Sequence, residues 1–306
     1  QGAEDHERVA SLVELRASRT ADDVNAAKLF HEAARIVSYY LRDDERTVGL
    51  LARALDRDPR HEEAIDDLDR MLEVTGDARR HAAVLERRAR RLSELGANPS
   101  EASLVHHRIG EIYEQDLGRS DKALAHYRIA YELDPENVAA IYAAREIHRL
   151  SGNLTAAATL LEMEAAAEQD RDRRKALLHE LAHLASEALR DEDRAVKALA
   201  EAVTEDPRDV ETLHAYALAL HRRASGRPGS EALTRDLAEM ADVLVRIGDF
   251  VDEPTAVSFL ESALDATPTH EPALEGLERL CERLSMTDRL PVRWVAYLSA
   301  GGHGPK

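Results

Sequence analysis

Aromatic side chains make up only 4% of this 306-residue sequence, and there is a single cysteine, Cys281. One cysteine excludes a disulfide within the chain, so the cysteine content leaves the redox compartment open. No apolar run approaches the roughly 20 residues that an α-helix needs to cross a bilayer. The sequence also lacks a glycine-rich phosphate loop and a convincing Ser/His/Asp set, so it gives no sign of nucleotide binding or nucleophilic catalysis.

Positive charge is scarce as well. The 59 acidic residues outnumber the 41 basic ones, and the formal net charge is −18. Phosphate neutralisation requires clustered positive charge, so nucleic acid is excluded as the main partner, and an anionic membrane surface is disfavoured for the same reason. Arginine outnumbers lysine by 36 to 5, which indicates a bacterial genome of high GC content. We expect a cytoplasmic protein, with the periplasm as the open alternative.

What the sequence does have is an abundance of helix formers. Ala, Leu, Glu and Arg dominate, and 44% of the residues are hydrophobic, which is enough to bury a core. At 306 residues the chain is long for one compact core, so two domains or a repeat array are expected. The composition therefore predicts an all-α fold.

A turn that contains proline recurs along the chain. Four such turns, separated by 76, 72 and 61 residues, are Asp58-Pro59, Asp134-Pro135, Asp206-Pro207 and Thr267-Pro268. Proline ends the preceding helix and fixes φ at the first turn of the next one. Core-type residues recur at the same offsets from each proline: Ile65, Ile141, Leu213 and Leu274 six residues on, and Leu68, Ala144, Tyr216 and Leu277 nine residues on.

One hairpin carries a recognisable signature of large, small and aromatic residues. Its members are Ile109, Gly110, Tyr113, Gly118, Ala123, Tyr127, Ala130 and Pro135, with one extra residue before Gly118. Segments 29–59 and 176–207 repeat the pattern in weaker form. Over roughly residues 20 to 284 the sequence thus resembles the tetratricopeptide-repeat family. The resemblance implies an α-solenoid of antiparallel helical hairpins wound into a right-handed superhelix.

The resemblance also predicts how the chain is organised. We expect the array, of about seven hairpins, to span residues 21–284, with an insertion in the hairpin at 230–268. Residues 1–20 are expected to form a helix that is either a cap or the end of a preceding repeat, which would fit a longer polypeptide or a larger complex. Residues 285–300 are expected to form a capping helix, and residues 301–306 a disordered tail. Cys281 falls on a predicted buried stripe and is expected in the core.

In tetratricopeptide arrays the first helix of each hairpin lines a concave groove, which implies a set of partner-binding residues. By this register His31, His107 and His179 are equivalent, and His214 takes the matching place in its own hairpin. Our hypothesis is a histidine-lined strip that contacts an extended or helical partner segment in a pH-sensitive way. The alternative is a position that merely tolerates a half-buried polar residue, inherited by duplication. The other groove candidates are Arg35, Asp66, Arg70, Glu111, Tyr142, Glu146, His183 and His221, with Leu218 as an apolar exception.

One motif could carry chemistry. The sequence His179-Glu180-Leu181-Ala182-His183 matches H-E-x-x-H, in which two histidines on one helix face bind Zn²⁺ and the glutamate is a general base. Leu181 and Ala182 already occupy predicted packing positions, and no third ligand is evident downstream. We therefore expect neither a metal site nor an enzyme.

The predicted helix 78–95 is rich in arginine. Nucleic-acid binding would need neighbouring basic helices and stacking aromatics, which are lacking. Ion pairs with acidic neighbours on adjacent hairpins are therefore favoured over a patch for an acidic partner. The arginines of this helix are Arg79, Arg80, Arg87, Arg88, Arg90 and Arg91.

Some co-chaperones of the family hold a terminal carboxylate with Lys and Asn, but here the corresponding groove positions hold mostly His, Asp, Glu and Arg.

The predicted function is a non-catalytic scaffold that binds a partner protein or peptide in its groove, with no cofactor, nucleic acid or membrane insertion. The alternative is a structural subunit that assembles through its terminal helices and convex face. Tyr142 and the groove histidines would favour capture, whereas an exposed Trp294 and the N-terminal helix would favour assembly.

Overall fold

The structure, a computed structural model, describes residues 2–226 and 231–301. Within these residues it has sixteen α-helices and no β-strand, so the predicted all-α fold class is confirmed. None of these helices is both long and apolar enough to cross a membrane. The predicted tail at 301–306 falls, apart from Gly301, outside the described residues. The helices are α1 (Gly2–Arg19), α2 (Asp23–Ile36), α3 (Asp44–Arg57), α4 (Glu62–Thr75), α5 (Ala78–Glu94), α6 (Pro99–Glu111), α7 (Ser120–Leu133), α8 (Val138–Leu150), α9 (Leu154–Ala167), α10 (Arg171–His183), α11 (Glu192–Glu205), α12 (Val210–Ser225), α13 (Glu231–Gly248), α14 (Glu253–Ala266), α15 (Glu271–Leu284) and α16 (Leu290–Ser299).

The chain forms two compact units, unit 1 (Gln1–Ile147) and unit 2 (His148–Lys306). In unit 1, α2 packs against α3 and α6 against α7. In unit 2, α10 packs against α11, and α13 packs against both α12 and α14. Each unit has its own apolar core, and Cys281 is fully buried in the core of unit 2, as its stripe position predicts.

Aspartate side chains begin many of these helices. The carboxylate of Asp22, for example, accepts a hydrogen bond from the Asn25 backbone N–H at 2.8 Å, which satisfies one of the donors left free at a helix start. Such caps lower the free energy of the helix and fix its first residue. The same bond is made at the starts of α3, α5, α10, α11 and α14 by Asp43, Asp77, Asp170, Asp191 and Asp252, and Asp209 caps α12 by accepting from the Glu211 backbone N–H.

The four helices before the predicted proline turns end alike. The residues before the prolines, Asp58, Asp134, Asp206 and Thr267, are all extended, with φ of −131°, −140°, −137° and −138°. A proline ring clashes with an α-helical conformation at the residue before it, so each helix stops there. The prolines therefore set the phase of the repeat.

Equivalent positions after each proline lie in similar surroundings. At the position six residues on, Ile141, Leu213 and Leu274 are buried and Ile65 is half-buried against the core of unit 1. All four residues at the position nine residues on, Leu68, Ala144, Tyr216 and Leu277, are buried. The repeat that the sequence predicts is thus present in the packing.

The helix pair α6–α7 depends on a glycine for its close approach. A Cβ atom added to Gly110 would lie 2.4 Å from Cε1 of Tyr127, whose side chain is fully buried. At the equivalent sequence positions, hairpin α2–α3 has Ala34 and Leu51, and hairpin α10–α11 has Ala182 and Leu199. The larger residue, tyrosine, thus occurs with glycine, and the smaller residue, leucine, occurs with alanine.

Three first helices of hairpins widen into a π turn at their ends: α2 at Val37–Leu41, α6 at Ile112–Asp116 and α10 at Leu184–Leu189. A π turn holds more residues than an α turn, which accounts for the extra residue before Gly118. Arg42, Gly118 and Arg190 follow these turns with left-handed φ of 51°, 61° and 56°. Glycine adopts this conformation freely, but the two arginines are strained there.

The insertion expected at 230–268 is wrong. The intervals Pro59–Pro135 and Pro135–Pro207 each contain four helices, whereas the described residues between Pro207 and Pro268 form three, α12, α13 and α14. The described part of this interval therefore has one helix fewer than each of the other two intervals. The pattern resumes at α15 because the Thr267-Pro268 turn restores the phase.

Candidate partner-binding face

The predicted groove residues lie on the first helices of the hairpins: α2, α4, α6 and α8 in unit 1, and α10 and α12 in unit 2. We call the surface that these helices present in each unit its first-helix face. In unit 1, His31 is largely buried, with only 12% of its side chain exposed. Its Nε2 lies 2.9 Å from Oδ2 of Asp67 on α4, and its ring stands 5.1 Å from that of His61. His31 therefore holds two hairpins together.

A cavity of about 670 Å³ opens on the first-helix face of unit 1, between α2, α3 and α4. Arg35 and Arg70 lie at its edge, and Arg70 forms an ion pair with Asp67 at 3.2 Å. Tyr39 stands at one end and is 77% exposed. Asp66 is exposed on α4 beside the cavity. The lining thus mixes charges of both signs with an exposed aromatic ring.

Farther along unit 1 the candidates differ in exposure. His107 is half-buried, with its ring 5.6 Å from that of Tyr127, and Glu111 accepts a hydrogen bond from Arg108 at 3.1 Å. Tyr142 is 49% exposed and lies beneath the guanidinium of Arg145, whose Cζ is 5.1 Å from the ring centroid. Glu146 is half-buried on the same helix. Of these, Tyr142 presents the most surface to a partner.

In unit 2, His179 also joins neighbouring hairpins. Its Nε2 lies 2.8 Å from Oγ1 of Thr212, and that hydroxyl donates to Asp209 at 2.8 Å. Because the Thr212 proton points to the carboxylate, His179 must donate from Nε2. Lys175 donates to Asp209 at 2.9 Å, and this hydrogen bond lowers the pKa of Asp209 to about 2. The network links α10 to α12.

Two clefts lie side by side on the first-helix face of unit 2. The smaller, of about 230 Å³, runs between α10 and α12 over α11, and the larger, of about 530 Å³, runs between α12 and α14 over α13. Leu218 lines both and is 45% exposed. His183, His214 and His221 are exposed around them. This is where the predicted residues converge best.

The larger cleft is mainly apolar. Its floor is formed by Leu237, Met240 and Leu244 of α13, and its far wall by Phe259 of α14. The ring of Phe259 stands edge-on to His214 at 6.0 Å. The sequence analysis missed these α13 and α14 residues because they fall where the helix count changes. The shortened 61-residue proline interval was the available signal.

The H-E-x-x-H motif lies on α10, where Leu181 and Ala182 are buried as predicted. His179 already donates to Thr212. In the part of the chain that the structure describes, no three His, Cys, Asp or Glu side chains come together as a metal-binding group. The geometry thus gives the motif no metal-binding partners.

The arginines of α5 pair with acidic residues on other helices, as predicted. Arg87 bonds to Asp56, Arg91 lies 3.4 Å from Asp23, and the Arg88 Nε donates to the backbone carbonyl of Pro59 at 2.8 Å. Burial lowers the pKa of Arg88 from its ordinary value. Three of the six arginines, Arg80, Arg87 and Arg91, thus form ion pairs with acidic residues of other helices.

A pair of half-buried histidines in unit 1, His106 and His126, was missed by the sequence analysis. Nδ1 of His106 on α6 lies 3.0 Å from Nδ1 of His126 on α7, and Glu86 of α5 lies 3.7 Å from Nε2 of His126. Burial, followed by the charge of His126, lowers the pKa of His106 to about 4. Tyr113 donates to Glu86 at 3.0 Å. No local sequence pattern marks this pairing, because three different helices supply it.

The terminal helix α16 also differs from expectation. Trp294 is half-buried and donates to Glu278 of α15, so it is not the exposed anchor that assembly would use. Instead Val292, Val295 and Leu298 are 71%, 64% and 51% exposed. They form an apolar stripe on the outer side of the helix.

The comparisons agree with this architecture. A family model for the tetratricopeptide repeat matches residues 104–137, which comprise most of α6, all of α7 and the turn at Pro135. No curated protein matches the chain. The fold and the match define a helical-hairpin repeat protein. Residues 104–137 of the chain form a tetratricopeptide repeat.

Several solved structures are similar to the chain. YrrB, described as a tetratricopeptide-repeat protein with an unusual peptide-binding site, is 21% identical; the match covers 57% of this chain and 92% of YrrB, with a TM-score of 0.28. The C-terminal part of a tetratricopeptide-repeat protein from Cytophaga hutchinsonii is 13% identical over 88% of this chain and 98% of its own, with a TM-score of 0.36. The TPR2AB domain of yeast Sti1, solved in a pHSP90 complex, is 16% identical over 90% and 98%, with a TM-score of 0.31.

Proposed function

We propose that this chain is a non-catalytic scaffold that binds a segment of a partner protein on the first-helix face of unit 2. The observation that supports this most directly is the pair of adjoining clefts that share Leu218. An exposed apolar residue between two concave surfaces is suited to anchoring a partner side chain on either side of it.

The polar residues around the clefts suit orientation rather than catalysis. His183, His214 and His221 are exposed at the edges, where they can hydrogen-bond to a bound segment. A catalytic histidine would be expected to lie within hydrogen-bond reach of a nucleophile or a second base. His214 is instead packed against the Phe259 ring.

The equivalent histidines divide into two roles under this proposal. His31 and His179 bond to the next hairpin, which fits the alternative that the position tolerates a half-buried polar residue. Partner contacts are then assigned to His183, His214 and His221 in unit 2, and to Arg35, Arg70 and Tyr142 in unit 1. The exposed residues of unit 1 form a second candidate face for the same or another partner.

Site-specific photo-crosslinking tests the proposal. A benzoylphenylalanine at position 218 should crosslink a discrete partner from an extract of the source organism. The matched control is the same residue at Lys197, an exposed position on α11. A synthetic peptide covering the crosslinked segment should bind the wild-type chain, and His183→Ala with His221→Ala should weaken that binding without loss of helicity. Equal, diffuse crosslinking from both positions would contradict the proposal.

A further inference from the structure

The larger cleft of unit 2 is built from three rows of residues at helical spacing. His214, Leu218 and His221 form the row on α12, Leu237, Met240 and Leu244 the row on α13, and Phe259, Ser262 and Ala266 the row on α14. The carboxylate of Asp265 also lines the cleft from α14, where it pairs with Arg293 of α16 in the same chain. Each row runs over eight residues, whose seven steps of 1.5 Å span about 10 Å. The cleft is therefore as long as two turns of an α-helix.

An α-helix fits this cleft better than an extended segment does. The walls are helices whose backbone groups are already hydrogen-bonded, and the floor residues Leu237, Met240 and Leu244 are apolar. An extended peptide would leave its own backbone N–H and C=O groups without partners against that floor, at a cost of about 1–3 kcal/mol each. A helix satisfies those groups internally and presents only side chains.

The same unit carries a helix with a matching surface. The exposed stripe of Val292, Val295 and Leu298 on α16 runs over seven residues, whose six steps span about 9 Å. The opposite side of α16 is anchored on α15, where Tyr297 is buried and bonds to Glu271. The stripe therefore lies on the side of α16 that points away from α15, and α16 could enter its own cleft only by leaving α15.

The charge of α16 also suits docking onto this protein. The chain has a net charge of −18, so most of its helices would add acidic groups to any contact between copies. Helix α16 has no acidic residue, and its single charged side chain, Arg293, pairs with Asp265 of α14. A second copy would thus bring an apolar stripe and no negative charge to the cleft.

We propose that the α12–α13–α14 cleft of one molecule receives helix α16 of a second copy. This inference rests on the proposed function, because it takes the apolar cleft as a binding site, and it names the occupant. The contact joins two different surfaces, so each bound copy still has one free cleft or one free helix. Such a contact is heterologous and produces head-to-tail chains or closed rings.

Sedimentation of the whole chain at increasing concentration tests the inference. The weight-average mass should rise above that of the monomer, and Leu218→Glu in the cleft or Val295→Glu on the stripe should each abolish the rise. Both substitutions place a charge in the contact, and both positions are exposed enough to keep the fold. The matched control, Leu104→Glu, changes an exposed leucine of α6 in unit 1 and should leave the association unchanged.

A mixture of the two variants provides the decisive result. Leu218→Glu keeps an intact α16, and Val295→Glu keeps an intact cleft, so together they should form a one-to-one dimer that grows no further. A wild-type chain that stays monomeric, single variants that associate normally, or a mixture that fails to dimerise would each overturn the inference. Specific crosslinking of another protein from position 218 of a monomeric chain would uphold the proposed function alone. Association that the variants abolish, without any such crosslink, would uphold the inference and identify a second copy of the chain as the protein that the cleft binds.

Discussion

The contact between Gly110 and Tyr127 makes a sharp prediction about the signature hairpin. In Gly110→Ala the new Cβ would lie 2.4, 2.6 and 2.9 Å from three carbons of the Tyr127 ring. Carbon atoms pack at about 3.5–4.0 Å, so the ring or the helix must move by about 1 Å. The ring is fully buried, and its hydroxyl donates to Glu114 at 2.7 Å, so it has little freedom to move.

The size of the effect follows from two opposing contributions. Overpacking costs about 1–3 kcal/mol, whereas replacing glycine with alanine inside a helix contributes about 1 kcal/mol of stability. We expect Gly110→Ala to lose up to about 2 kcal/mol. Gly49 of α3 is the matched control, because a Cβ there meets nothing within 4 Å. Gly49→Ala should therefore stabilise its helix by up to about 1 kcal/mol.

A second substitution should rescue the first. Tyr127→Leu alone removes buried ring atoms and the bond to Glu114, at a cost of about 1–2 kcal/mol. The combination of Gly110→Ala and Tyr127→Leu reproduces the alanine–leucine pairs of the other hairpins, so it should cost less than the two single changes added together. We expect a coupling of about 1–2 kcal/mol.

Amide hydrogen exchange of α6 and α7 is the appropriate assay, because a repeat protein opens locally and the single tryptophan lies in unit 2. Protection in α6 and α7 should fall in Gly110→Ala and recover in the double variant. The reasoning would be refuted if Gly110→Ala stabilised the hairpin as Gly49→Ala does, or if the two changes were additive.

Three further predictions concern strain and pH. Arg42→Gly and Arg190→Gly should each raise the free energy of unfolding by about 0.5 kcal/mol, seen as a higher urea midpoint. The reason is that left-handed strain of about 1–2 kcal/mol exceeds the added freedom of glycine in the unfolded chain. An unchanged midpoint would argue against strain. His106 has a folded pKa of about 4 against an ordinary value of 6.5, so stability should be lost as pH falls from 6.5 towards 4, by roughly 1–2 kcal/mol after allowance for solvent screening. His106→Gln should remove that part of the pH dependence of unfolding, and a persistent slope would contradict the assignment. Asp209, with a folded pKa of about 2 against 3.8, should contribute stability that is full above pH 3.8 and lost as pH falls through 2, and Lys175→Met should flatten this loss in acid titrations.

Much of the fold could be predicted because its determinants are local. The sequence analysis placed a helical array over 21–284, and the turns at Asp58-Pro59 and Asp206-Pro207 indeed end helices there. Proline geometry and Asp caps act within a few residues, so they can be read without knowing the tertiary contacts. The sequence analysis expected an insertion before Pro268, whereas the described residues between Pro207 and Pro268 have one helix fewer than the other intervals. The change in the interval between prolines shows only that the repeat length differs, not which element is absent.

The candidate site was predicted less completely. The register identified Leu218, His214 and His221 as facing the same way, and the structure places them around one cleft. The register could not distinguish these exposed residues from His31, whose ring bonds to Asp67, 36 positions away in the sequence. A histidine on a helix face looks the same in sequence whether its partner is solvent or the next hairpin.

By itself, then, the sequence determined the all-α class, the positions of the turns and the buried stripe of each hairpin, since these depend on helix propensity, proline and a period of 3.6 residues. Only the tertiary structure decided which polar side chains are used between hairpins, which cleft is apolar, and that α13 packs against both neighbours. Those outcomes depend on side chains from helices more than 20 residues apart in sequence, such as His214 and Phe259, whose meeting is fixed by packing rather than by any local pattern.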